Sequence, residues 1–103
     1  MILTVQSTGK KNFRLGISFY DSLKTFNSDR GISVRLIISG LILNLRTNCG
    51  PPLNKGFDLY SKELSDWIVA NNYNDYSYRN PTKLNFKYAR FRGVHTLTFI
   101  GLV

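Results

Sequence analysis

Carboxylates are scarce in this sequence: six Asp and Glu stand against fourteen Lys and Arg in 103 residues, for a formal net charge of +8. So few acids leave no evident acid–base pair or nucleophile site, and no enzyme is expected. The cationic excess favours a polyanionic partner, nucleic acid before others. Cysteine is nearly absent as well. A single one, Cys49, excludes an internal disulfide and fits a reducing, cytoplasmic compartment or simple indifference to redox. One Cys and one His cannot supply the four ligands of a structural zinc site. That histidine, His95, lies in an alternating segment without a neighbouring nucleophile or carboxylate, so it is read as structural. Long apolar runs are missing too. The most apolar stretch, 36–45, is flanked by Arg35 and Arg46 and falls short of the ~20 residues of a membrane span. Met1 is followed by mixed residues, so no signal peptide and no membrane partner are expected. The glycines near "RGIS" lack the spacing of a phosphate-cradling loop, and no cofactor is expected.

What is present argues for a packed protein. The apolar share is 43%, with seven Phe, six Tyr and one Trp, more than a disordered chain carries. The length suits one small domain, 1–103. "MILTVQ" reads as a strand, and Gly9 marks a turn. Residues 10–15 alternate loosely, with Phe13 and Leu15 on one side and Asn12 and Arg14 on the other. Over 17–30, Phe19, Leu23 and Phe26 share a helical face, and Gly31 suits the position just past a helix. Ser33 is a natural N-cap for a second helix, whose stripe is Ile37, Ile38, Leu41, Ile42 and Leu45. β-branched residues are frequent there, so a strand competes; length and the start signal favour the helix. Gly50, Pro51 and Pro52 make 47–56 a connector. It offers a subdivision into 1–48 and 57–103. Beyond it, Tyr60, Leu64, Trp67 and Ile68 predict a helix over 59–71. A hairpin then follows, with strands over 82–91 and 94–100 and a turn at Arg92-Gly93. The expected class is α+β: N-terminal strands, two to three helices and a C-terminal β-hairpin.

The order strand, helix, Gly, helix over 10–46 resembles the ribbon-helix-helix family of DNA-binding proteins, which includes the methionine and Arc repressors. The resemblance rests on "KKNFRLG", "SLKTFNSDRGISV" and "LIISGLILNL". It implies a homodimer in which two such strands pair antiparallel and enter the major groove. The outward set implied here is Lys10, Asn12 and Arg14. Arg suits guanine and Asn suits adenine. Ser33 would open the second helix and clamp a phosphate. The resemblance further implies a role in transcription regulation. Three features depart from it: Gly16 stands where the family often has Pro, Lys11 occupies an apolar position, and "MILTVQ" offers a hairpin partner.

Lys83, Lys87, Arg90 and Arg92 form a second basic strip on the C-terminal hairpin, suited to a phosphate backbone or to water. Tyr73, Tyr76 and Tyr78 beside Arg79 could stack on unpaired bases or cover the hairpin. The reading favoured by these features is a nucleic-acid-binding protein, with DNA preferred over RNA. Two alternatives stand beside it. One is an RNA-binding or ribonucleoprotein component; the other is a small phage- or plasmid-type inhibitor that meets an acidic protein surface.

Overall fold

A computed structural model describes residues 1–9, 11–26, 31–50, 54–74 and 80–103. The chain is mostly β. Its strands are β1 (Ile2–Gly9), β2 (Asn12–Gly16), β3 (Ser33–Ile38), β4 (Leu41–Arg46), β5 (Asn48–Cys49), β6 (Phe57–Leu59), β7 (Lys83–Phe91) and β8 (Val94–Leu102). Two short helical segments join them: α1 (Phe19–Asp21), which continues as a π-turn over Ser22–Phe26, and α2 (Lys62–Ala70).

All eight strands belong to one sheet in the order β4-β3-β8-β7-β1-β2-β6-β5. Strands from either side of the 47–56 connector interleave in it. Only β3 and β8 run parallel; every other neighbour pair is antiparallel. The outermost strands, β4 and β5, are separated by Thr47 alone. Consecutive Cα atoms lie about 3.8 Å apart, so the two ends of the sheet must meet at this residue, and the sheet curls into a nearly closed barrel. Thr47 is buried at that corner. Its N–H donates to the Ile32 carbonyl at 2.9 Å, and its Oγ1 accepts from the Ile32 N–H at 2.8 Å.

The α+β expectation is therefore overturned. The stretch 36–45, read as a helix, is the hairpin of β3 and β4, paired from Ser33↔Arg46 to Ile38↔Leu41. Ser39 and Gly40, at φ 42° and 87°, make the two-residue turn. Positive φ at both central residues is the turn whose twist matches paired strands. Val34, Leu36 and Ile38 alternate into the core with Ser33, Arg35 and Ile37 facing away. Gly31-Ile32-Ser33 does not join two helices: Ile32 bonds to Thr47, and Ser33 opens a strand instead of capping a helix. The 17–30 helix shrinks to α1 and its π-turn, within the described part. Phe19 and Leu23, two of its three stripe residues, remain more than 40% exposed, and only Phe26 is buried. The helix expected over 59–71 is occupied by α2, capped by Ser61 Oγ accepting from the Leu64 N–H at 3.0 Å. It lays Leu64, Trp67 and Ile68 into the core.

The core lies on the inner face of the sheet. Leu3, Val5, Phe13, Leu15, Leu36, Leu59, Leu84, Phe86 and Leu97 are buried there with the apolar side of α2. Trp67 meets Phe99 and Tyr73 edge-on, at 5.0 and 5.4 Å between ring centroids. Tyr73 is thus packed against the core, while Tyr76, Tyr78 and Arg79 lie outside the described residues. Ser22, fully buried, links α1 to the sheet. Its Oγ donates to the Ile17 carbonyl at 3.4 Å and accepts from the Phe57 N–H at 2.9 Å. Ser22→Ala is expected to cost about 1–3 kcal/mol, because it leaves a buried N–H without a partner. A fall in the urea midpoint at unchanged slope would register it; an unchanged midpoint would refute it.

Candidate functional site

Side-chain alternation divides each strand between the core and the outer face. Residues opposite one another in register share a face. Arg35 lies in line with Asn44, Thr96 and Ala89; Ile37 lies in line with Ile42, Thr98 and Lys87. Lys83 lies in line with Thr4 and Gly16, and Arg14 with Gln6. The outer face therefore gathers Arg14, Arg35, Arg46, Lys83 and Lys87 from four strands. The six consecutive strands β4-β3-β8-β7-β1-β2 contain no Asp or Glu. α2 and the π-turn after α1 send their buried apolar residues into the core.

The strand expected to read DNA is held within its own chain. β2 pairs with β1 along its length and with β6 at Leu15 and Gly16. On the β6 side, its Phe13 N–H donates to Ser65 Oγ of α2 at 3.0 Å. Neither edge is open to the strand of a second copy. Asn12 opens the strand opposite Gly9, half-buried, and Lys10 lies outside the described residues. Arg14 does face outward, but it is engaged. Its Nε donates to Gln6 Oε1 at 3.0 Å, and Nη1 lies 3.3 Å from Asp58 Oδ2. The Asp58 side chain is only 8% exposed, so the guanidinium offsets a charge that burial would otherwise penalise.

The expected hairpin strip divides. Lys83 and Lys87 stand on the outer face. Arg90 alternates to the other side, opposite His95, and Arg92 sits in the turn at φ 50° with its guanidinium 5.4 Å from the Phe91 ring. Arg35 and Arg46 had been read as flanks of a helix. The Ser39-Gly40 dipeptide, a turn signal, is what would have put Arg35 on the alternating face.

Lys83 and Arg14 also line a cleft of about 620 Å³ on this face, which extends to Phe19 and Asp21 of α1, Gln6 of β1 and Asp58 of β6. Asn54 and Lys55 close it on the connector side. The Cβ of any residue replacing Gly16 would lie 2.7 Å from the Gln6 Nε2, so glycine there admits the amide that braces Arg14. Cys49 lies at the cleft edge, and its thiol is near enough to the Asp58 carboxylate to feel it. That carboxylate, with burial, pushes the thiol pKa up from its ordinary value. A thiol held protonated is a poorer nucleophile than a thiolate. Among the described residues no group of His, Cys, Asp and Glu could hold a metal ion. No helix of the described residues is long and apolar enough to cross a membrane.

On the inner side, the Tyr88 hydroxyl and His95 Nδ1 share a 2.6 Å hydrogen bond, and the Phe26 ring packs edge-on 5.0 Å from the imidazole. Burial, and then the Arg90 charge, hold the His95 pKa below its ordinary value of 6.5. The unfolded chain therefore takes up this proton first as pH falls. The contribution is full above about pH 6.5 and is lost as pH drops beneath it. His95→Gln is expected to flatten that part of the stability–pH curve, measured as urea midpoints from about pH 7.5 down to about pH 4.5. Identical curves for both proteins would refute the assignment.

No protein-family model matches this sequence, and no curated protein or solved structure matches it. The molecule is defined by its own features: a small barrel-like β protein with a cationic outer sheet face and a cleft of mixed polar and apolar lining on that face.

Proposed function

We propose that the protein binds nucleic acid along the outer face of its sheet, through phosphate contacts from Lys83, Lys87, Arg35 and Arg46. One observation carries the reading: six adjacent strands bear these cations and Arg14 and no carboxylate. The one acid elsewhere in the sheet, Asp58, is paired with Arg14. A face with this excess of cations attracts a polyanion and releases its counterions on contact. Asn44, Asn85, Thr4, Thr96 and Thr98 share the face and add hydrogen-bonding groups of the kind that position a phosphate backbone. The protein acts as a binding module, not an enzyme. The two-chain ribbon is not part of this reading, since it would need an edge of β2 that β1, β6 and α2 already occupy.

The test is binding of random duplex DNA, single-stranded DNA and RNA at about 50 and about 200 mM salt, with the oligomeric state measured in parallel. Binding that weakens steeply with salt supports the proposal. Absence of binding to all three at the lower salt, or binding indifferent to salt, would sink it.

A further inference from the structure

We infer that the cleft beside Arg14 and Lys83 receives one unpaired nucleobase, so that the preferred ligand is a single strand with amino-bearing bases. This deepens the proposed function and rests on it. The cleft's contents separate a base from a phosphate. Asp58 lines it already paired with Arg14, which leaves the Asp21 carboxylate as an acceptor that a base can use and a phosphate cannot. Carboxylates do accept hydrogen bonds from the exocyclic amino group of cytosine. Gln6 and Asn54 bring amides, the groups that read base edges in pairs of hydrogen bonds. Phe19 lines the same cleft and is 42% exposed, although it is a large apolar side chain. An exposed ring beside polar edge-reading groups is the arrangement on which unpaired bases stack.

The surroundings suit the rest of a nucleotide chain. Lys83 belongs both to the cleft and to the outer strip, four residues along β7 from Lys87. Lys55 stands across the cleft. A strand laid along Lys87 and Lys83 reaches the cleft with its phosphates on the lysines and one base turned inward. A volume near 620 Å³ falls within the range of about 300–1,000 Å³ common to small-ligand sites. A base inside a duplex is stacked and cannot enter such a cleft without being flipped out.

The experiment uses the full chain and labelled oligonucleotides of about twelve nucleotides: oligo-dC, oligo-dT and a random duplex. Oligo-dT is the control because thymine has no exocyclic amino group. The variants are Phe19→Ala, whose exposed ring is outside the core, and Lys87→Ala, which lies outside the cleft. The expected result is tighter binding of oligo-dC than of oligo-dT. Phe19→Ala should weaken oligo-dC binding about 5- to 150-fold at unchanged salt dependence and leave duplex binding alone. Lys87→Ala should weaken all three ligands and lower their salt dependence. Equal binding of oligo-dC and oligo-dT, or an equal loss on single strand and duplex with Phe19→Ala, overturns the inference. If Lys87→Ala still weakens every ligand, the outer-face reading survives that result. If Lys87→Ala changes none of them, both fall.

Discussion

Alanine at Lys83, Lys87 and Arg35 together is expected to lower the slope of log affinity against log salt by about 2 for a single-stranded ligand, at about 0.7 per phosphate contact. Counterion release with that exponent makes the loss roughly fifty-fold at about 0.15 M salt. The choice of residues matters. All three lie on the outer face, and none forms an ion pair with an acid among the described residues. Their removal subtracts charge without orphaning a buried partner. Arg14→Ala is a worse test of phosphate contact, because it strips Asp58 of its counter-charge and affects folding as well as binding. The measurement is a salt titration of binding by wild type and triple variant, with thermal melts run beside it. An unchanged slope with equal melting would show that the face does not meet phosphate.

The second large effect falls on a glycine. Gly56→Ala is expected to destabilise the fold by about 4 kcal/mol, a large share of the ~5–15 kcal/mol that holds a domain together. An added Cβ would collide with the Ile17 carbonyl oxygen and sit within 3 Å of the Ile17 and Ser18 carbonyl carbons. All three obstacles are backbone, so no rotamer relieves them. Moving that backbone would strain the Ile17 N–H bond to the Phe57 carbonyl at 2.8 Å and the Ser22 bridge beside it. Overpacking costs about 1–3 kcal/mol, and each hydrogen bond lost adds about 0.5–1.5 kcal/mol. At about 4–8 °C per kcal/mol, the melting temperature should fall by roughly 15–30 °C. Gly40→Ala is the control. Its φ is 87° with nothing within 4 Å, so only backbone strain of about 1 kcal/mol applies. Equal losses for the two variants would refute the steric account.

Much of the strand content was legible where polar and apolar residues alternate. The segments at "MILTVQ", at 10–15 and at 83–100 show period two, and β1, β2, β7 and β8 lie there. The failure at 36–45 has a definite cause. "LIISGLILNL" is apolar at almost every position, so it matches a helical stripe and an alternating strand equally well. Length then favoured the helix. The Ser39-Gly40 turn outweighed length, because it lets Val34, Leu36 and Ile38 enter a core already built by β8 and β7. The segment 17–30 failed in the opposite way. Its spacing is helical, but Phe19 and Leu23 find nothing to bury against.

The candidate site was legible in part. Arg14, Lys83 and Lys87 were singled out as cations on alternating strands, and all three emerge on one face. Lys83 and Arg14 are separated by 69 positions in the chain but line one cleft, because β1 pairs with β7 on one side and β2 on the other. Gln6 and Asp58 carried no sequence signal, and Phe19 was legible only as one of three residues on a helical face.

The sequence by itself determined the charge, the single cysteine and single histidine, and the alternating strands with their turns, because these depend on composition and on neighbours a few residues apart. Tertiary structure decided the sheet order, the pairing of β2 within its own chain and the cleft. Those depend on which edges meet when β4 passes through Thr47 into β5 and closes the sheet, and contacts between residues far apart in sequence leave no local pattern to read.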